Sequence, residues 1–524
     1  MTIRPDPAKI VVPRRHGEIL IEPPLPELEA ALAHAAPSPL LTETRRTARA
    51  HLLAAATRWS RTIGADAPPA DALDRPFILT GHQLEFYHPG VWAKVIIADE
   101  LAQRTGAAAF DLLVDHDTVD HLGFDVPVQS PEGDWSKRPV EFAPPSSLPA
   151  DSLHAPSVGQ FEQWDSALAQ YPTTHTDAMA FWLTALKPQS AMGNATSAIS
   201  YVSWLSRARR QYEASLNIQV HHVPTSLLCT GPLWQHFVQA WITNASAWTA
   251  AYNRHLADYR REHRLKNPNR PMPDLATQTT GDTTAIELPF WIYRLGHARE
   301  RLTLHITGGT AKILRDGAAL DPEFVLRDSS LVIRPRALTL TLFARLLFAD
   351  LFIHGIGGAL YDQITDRLLN ELFHSVPPYA CVSAAWLLPL GQPTDPEDLP
   401  ALAHRRHHLE HNPQLAIDAF TARKADVAQL LADRQALISQ IAASLAAARR
   451  NRAEKLRRRA LFKQLHATNA DLHTRAPNVL GNLDHQLTTA RRAAAQNGIL
   501  EHREFFLGLH TTASLEKLSR LLRG

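Results

Sequence analysis

Apolar residues follow two rhythms along the chain. In the first three quarters, short apolar runs alternate with helical patterns. Phe77-Ile78-Leu79 runs into Thr80 and the turn residue Gly81, a helical stretch covers 91–104, and a second apolar run spans 109–114. Strand, turn, helix, strand is the grammar of a parallel sheet. The ligand crevice of such a sheet lies beyond the carboxyl ends of its strands. Further strands are expected at 218–223, within 286–335 (where Gly308-Gly309 marks a hairpin), and at 382–390. Helices are expected at 42–62, about 161–190, 198–215, 338–348 and 361–373, with one long helix over 233–263 and a glycine turn at 355–358. Residues 125–160, rich in Pro, Ser and Asp, read as a loop or insertion.

From about residue 400 the rhythm changes. Val427, Leu430, Leu437, Ile441 and Leu445 recur at spacings of three, seven, four and four, and Leu456 and Leu465 extend the stripe. So long a helical period suggests a coiled-coil arm. Pro477 and Gly481 break it before a second helical pattern from Leu483, which suggests an antiparallel hairpin. The expected organisation is an N-terminal extension, 1–74, then a core over 75–395 with insertions at about 125–215 and 265–335, and a helical region over 396–524.

Composition narrows the class. With 45% hydrophobic and 20% charged residues, wholesale disorder is excluded. The net charge of +2 disfavours a nucleic-acid-coating protein. Two cysteines, Cys229 and Cys381, exclude a disulfide scaffold and fit a reducing compartment. A membrane helix needs about 20 apolar residues, and the best stretch, 337–360, is interrupted by Arg345, Asp350 and His354. The N-terminus lacks the apolar stretch of a secretory signal, so a cytoplasmic protein without a membrane partner is expected. The 27 histidines invite a metal or acid–base reading.

The candidate chemistry falls where a parallel sheet would place it. Thr80-Gly81-His82-Gln83 follows a strand and offers a hydroxyl, an imidazole and an amide to a polar ligand, or is a plain strand-end turn. His88-Pro89-Gly90 and Lys94 follow, a lysine near a helix start that favours an anion or simply lies on the surface. Asp115-His116-Asp117, with Asp120 and His121, packs five ionisable groups into seven residues. It reads as an active-site wall, a metal site or an ordinary loop, and shows no recognised metal spacing. Arg334-Pro335-Arg336 could grip phosphate or carboxylate. The basic run of Arg449, Arg450, Arg452, Lys455, Arg457, Arg458, Arg459 and Lys463 could meet a polyanion or be a solvated face. His404, His407, His408 and His411 are as readily helix surface as metal ligands.

In this order the pieces resemble the cysteine ligase of bacillithiol biosynthesis, the BshC family. That family's core opens with a strand ending in TGQQ, an aromatic/glycine/proline loop and a helical lysine. This chain has Thr80-Gly81-His82-Gln83, Phe86-Tyr87-His88-Pro89-Gly90 and Lys94. The family's EDHD-type segment is matched by Val114-Asp115-His116-Asp117. Its arginine–proline pair and glycine-rich turn are matched by Arg334-Pro335, Gly355-Ile356-Gly357-Gly358, Tyr361 and Gln363. TGHQ stands for TGQQ and the first family glutamate is missing, the pattern of a divergent member. The resemblance implies a Rossmann-like parallel-sheet core, similar to nucleotidyltransferases and class I aminoacyl-tRNA synthetases, with a C-terminal coiled-coil arm that dimerises. It implies a ligase joining a cysteine-like amino acid to an acceptor such as glucosaminyl malate, with ATP or ADP and Mg²⁺ as the cofactors to test and no structural metal. His82, Asp115, His116 and Asp117 would be catalytic. Thr80, Gly81, Gln83, Lys94, Arg334, Gly357, Gly358, Tyr361 and Gln363 would bind substrate or nucleotide. The alternatives are a non-catalytic Rossmann-like scaffold, or a ligase of the same superfamily with another substrate.

Overall fold

A computed structural model describes residues 3–33, 42–188, 199–315, 318–394, 398–419, 424–446 and 452–524. The chain is α/β and divides into two compact units. Unit 1 comprises Met1–Val128, Lys137–Leu388 and His502–Gly524; unit 2 comprises Gln129–Ser136 and Pro389–Glu501.

The apolar runs of unit 1 form one six-stranded sheet. Its order is Ile19–Glu22, Tyr379–Ala384, Leu351–His354, Phe77–Gln83, Ala108–Val114, His221–Pro224. The first strand is antiparallel to its neighbour and the other pairings are parallel. Phe77, Ile78, Leu79, Phe110, Leu112 and Leu113 are buried, as expected of parallel strands covered on both faces. The pairing of Gln83 with Val114 brings the ends of these two strands level, so His82–Gln83 and Asp115–Asp117 emerge at the same edge. The helix Pro89–Thr105 leaves that edge, as does Ile356–Phe373.

A second, antiparallel sheet follows the order Ala318–Leu320, Thr310–Arg315, Glu300–Thr307, Thr283–Tyr293, Val332–Pro335, with Thr277–Thr280 also paired to Thr283–Tyr293. The Gly308-Gly309 hairpin is present, with Thr307 opposite Thr310. Residues 502–524 return to unit 1. Phe506 packs against Phe86, Phe124 and Trp182 with ring centroids 5.1, 4.7 and 5.1 Å away. Arg523 pairs with Asp99 and Glu100 at 2.5 and 2.8 Å.

Several expectations need correction. The stretch 125–160 contains a strand pair, Gly123–Gln129 with Trp135–Glu141, rather than a loop throughout. The expected long helix over 233–263 is two, Gly231–Thr243 and Ala245–Glu262, parted at Asn244. Gly357 and Gly358 are not a turn but the first turn of Ile356–Phe373. The strand expected at 382–390 is Tyr379–Ala384.

In unit 2 the expected continuous stripe is divided between Lys424–Ala446 and Arg452–Arg475. Val427, Ile441 and Leu461 are buried there, but Leu445 and Leu456 are exposed. Arg434 bonds Asn469 at 2.9 Å and Ser444 bonds Glu454 at 2.8 Å, so the two helices run antiparallel. Pro477 opens the next helix, Pro477–Leu500, and Gly481 lies inside it. The part of the basic run at Arg449 and Arg450 lies outside the described residues. Among the described residues, no helix is long and apolar enough to cross a membrane.

Candidate functional site

The carboxyl edge of the parallel sheet opens into a cavity of about 470 Å³ within unit 1. Of the predicted site residues, Gly81, His82, Gln83, Lys94, His116, Asp117, Gly357, Gly358 and Tyr361 line it. Three parts of the chain remote in sequence therefore meet at one place.

Four predicted site residues do not line the cavity. Thr80 is fully buried and its hydroxyl donates to the Ile353 carbonyl at 2.9 Å, tying adjacent strands. Asp115 is buried and accepts bonds from the Thr225 hydroxyl and the Ser226 amide at 3.0 and 2.9 Å. Arg334 is buried and donates to the Cys229 carbonyl at 3.1 Å. Gln363 donates to the Leu360 carbonyl at 3.0 Å within its own helix. Each has at least one polar side-chain atom bonded to the protein.

One wall is a chain of bonded polar groups. The Gln83 amide donates to Asp117 at 2.5 Å, and Arg299 holds the other Asp117 oxygen at 2.6 Å. Arg299 also donates to the His116 carbonyl at 3.0 Å and lies 4.8 Å over the Trp291 ring. Arg336 lies 5.1 Å from the same ring and is bonded to Glu287. Both ring nitrogens of His116 are engaged, with the Thr225 hydroxyl at 2.8 Å and the Pro335 carbonyl at 3.0 Å. Burial pushes this imidazole down to about 4, so it braces the wall as a neutral ring.

Other parts of the lining favour anions. The Ala337–Leu347 and Ile356–Phe373 helices begin at the cavity, and neither has a side-chain cap. Their first backbone N–H groups and the positive ends of their dipoles are therefore free to meet a negative group. The Pro89–Thr105 helix also starts there but is capped by His88, whose Nδ1 accepts from the Gly90 amide at 3.1 Å. Lys94 donates to the Gly81 carbonyl at 2.7 Å, and burial lowers its ammonium to about 8 although Asp111 opposes this. Arg503 adds a further cation. Against Lys94, Arg299, Arg336 and Arg503, the only carboxylate among the lining residues is Asp117.

Two histidines remain available as proton acceptors. Burial and the Lys94 charge push His82 down to about 3. His354 Nε2 lies 3.0 Å from Asp362, which Arg345 holds at 2.6 Å. Burial lowers His354 despite Asp362. Burial opposes ionisation of Asp362, but Arg345 and His354 keep it charged. That pairing puts the His354 proton on Nε2 and leaves Nδ1 as a lone pair beside Gly358. A Cβ at Gly358 would sit 2.7 Å from that nitrogen, so glycine is required there.

Trp291, Arg299, Ser383 and Arg503 also line the cavity and were not singled out in the sequence. No motif surrounds them. Only the fold brings the antiparallel sheet and residue 503 to this edge. No protein-family model matches the chain, and no curated protein matches it.

A nucleotide fits the cationic wall in charge and its phosphates fit the uncapped helix starts. Mg²⁺ fits poorly, because Asp117 is already bonded to Gln83 and Arg299 and no second carboxylate lines the cavity. The arrangement can bind an anion, orient a polar group at Asp117 and Gln83, and accept a proton at His354 or His82.

Proposed function

We propose that the unit 1 cavity is the active site of a carbon–nitrogen ligase similar to the BshC family. It would join a cysteine-like amino acid to an acceptor such as glucosaminyl malate, with ATP or ADP as the nucleotide to test. The observation that carries this is the convergence of two uncapped helix starts with Lys94, Arg336 and Arg503 on one cavity. Such a set suits a phosphate or carboxylate that develops or loses charge during reaction.

In this reading the anionic group sits at the Ile356–Gly358 amides, beside Lys94. Asp117 attracts the ammonium or hydroxyl groups of the second substrate, and Gln83 and Arg299 fix the carboxylate's orientation. The His354 Nδ1 takes the proton that the amine loses as its nitrogen bonds the acyl carbon, and Asp362 stabilises the resulting imidazolium. As the C–N bond forms, the bond from the acyl carbon to the nucleotide-derived phosphate that would activate it breaks, and the released phosphate anion stays on the helix starts. A Rossmann-like classification of unit 1, and a dimerising coiled-coil arm in unit 2, belong to the same proposal. The dimer is checked by light scattering, where a mass of one chain would remove it.

The test is a thermal-shift panel of ATP, ADP, cysteine and glucosaminyl malate. At least one is expected to stabilise the wild type, and His82→Ala and Asp117→Ala are expected to abolish that shift while circular dichroism stays unchanged. Unchanged ligand shifts in both variants would sink the site assignment.

A further inference from the structure

The helix Leu399–His411 of unit 2 carries His404, His407, His408 and His411. Its last turn has the order His407-His408-Leu409-Glu410-His411. This H-x-x-E-H spacing is the reverse of H-E-x-x-H, and both put two imidazoles one helical turn apart with a carboxylate on the same face. One nitrogen of each of His407 and His411 and one oxygen of Glu410 all lie within 4.8 Å of one another. The two rings meet edge-on with centroids 4.5 Å apart.

We propose that His407, Glu410 and His411 form a binding site for a divalent first-row transition ion of the Zn²⁺ type. Two imidazoles and one carboxylate are the donors such ions prefer, whereas Mg²⁺ and Ca²⁺ take oxygen ligands. Around a tetrahedral ion with bonds of about 2.05 Å, ligand atoms stand about 3.3 Å apart. Exposed side chains need only a small contraction to reach that spacing. The three groups occupy the C-terminal turn, where the helix dipole favours a cation.

The backbone beneath them is already fixed. The His411 carbonyl accepts from Arg434 and Asn469 at 2.9 and 3.3 Å, and the Glu410 carbonyl lies 3.0 Å from His473 Nε2. Arg406 holds one Glu410 oxygen at 2.6 Å and Asp484 at 2.8 Å, so it keeps a carboxylate partner when Glu410 turns to an ion. Three protein ligands leave a fourth position for water. His466 lies on the neighbouring helix, its ring centroid 6.1 Å from that of His411.

The experiment uses the full chain, stripped with EDTA and titrated with Zn²⁺ by calorimetry, with Co²⁺ absorption bands as a second readout. One Zn²⁺ is expected to be lost in the His407→Ala/His411→Ala double variant. Glu410→Gln is expected to weaken that ion by at least about tenfold, the lower end of what loss of even a supporting group costs a metal site. His404→Ala on the same helix is the control and should bind as the wild type does. Helical circular dichroism confirms that each variant folds. Equal Zn²⁺ stoichiometry and affinity in the double variant and the wild type would overturn the proposal, as would an equal loss in His404→Ala.

Discussion

In unit 1 the histidines that meet the cavity are enclosed. His88 and His116 are held to about 3 and 4 by burial, and His354 is lowered by burial while backed by Asp362. In unit 2, His407 and His411 stand exposed on a helix end with a carboxylate between them. In the proposed reading the same side chain is a neutral brace or proton acceptor where it is enclosed, and a metal ligand where it is exposed. Charge shows the same contrast. Unit 1 buries Arg345 against Asp362 and Asp366 at 2.6 and 2.7 Å, whereas unit 2 pairs Arg406 with Asp484 in solvent.

The largest effect should come from breaking the buried set. Arg345→Met removes the shared guanidinium from two buried carboxylates, leaving Asp362 with His354 and Asp366 with Arg4, at a cost of about 3–5 kcal/mol in urea unfolding. A loss under about 1 kcal/mol would mean that unit 1 does not depend on these charges. Next comes acid. His82, His88 and His116 have folded-state values below their ordinary 6.5, so the unfolded chain binds more protons once pH drops below 6.5. Stability should therefore fall from pH 6.5 towards 5, each histidine contributing at most about 1.4 kcal/mol per pH unit. A flat urea midpoint across that window would contradict their enclosure.

Lys94, lowered to about 8, should lose its charge as pH rises through that value. Nucleotide binding should weaken about tenfold between pH 7 and 9, consistent with a charge-assisted bond worth ~1.5–3 kcal/mol. It should do so less in Lys94→Met, whose binding is already weak; an equal pH dependence in both proteins would assign the effect elsewhere. The smallest change is expected for Arg406→Ala, about 0–1 kcal/mol, because exposed ion pairs gain little. A cost near that of Arg345→Met would erase the contrast between the units.

Much of the site was legible because local order fixes it. The strand–turn–helix–strand sequence from Phe77 to Val114 is visible in apolar spacing, and the parallel register then brings Gln83 and Asp117 together. Asp115 and Arg334 looked equally chemical in sequence, but a residue's neighbours along the chain do not reveal whether its polar atoms face inward to Thr225 and Cys229. The Gly123–Gln129 strand is hidden because Pro127 lowers strand propensity, although Phe124 and Val126 alternate around Asp125. The division of the stripe into Lys424–Ala446 and Arg452–Arg475 is hidden in the sequence because the leucines continue through both helices, while their burial does not.

The return of residues 502–524 to unit 1 has a consequence for biosynthesis. Arg503 completes the cavity wall and Phe506 sits among Phe86, Phe124 and Trp182, yet both follow the Pro389–Glu501 excursion. At about 5–20 residues per second, a ribosome spends on the order of ten seconds making that excursion. Throughout that interval the nascent unit 1 has the strands of its sheet but lacks the buried rings of Phe505 and Phe506 and one cation of its cavity. A ligand that needs Arg503 can be held only after residue 503 has emerged, so binding competence follows synthesis of the Pro389–Glu501 excursion, well after most of the sheet that frames the cavity.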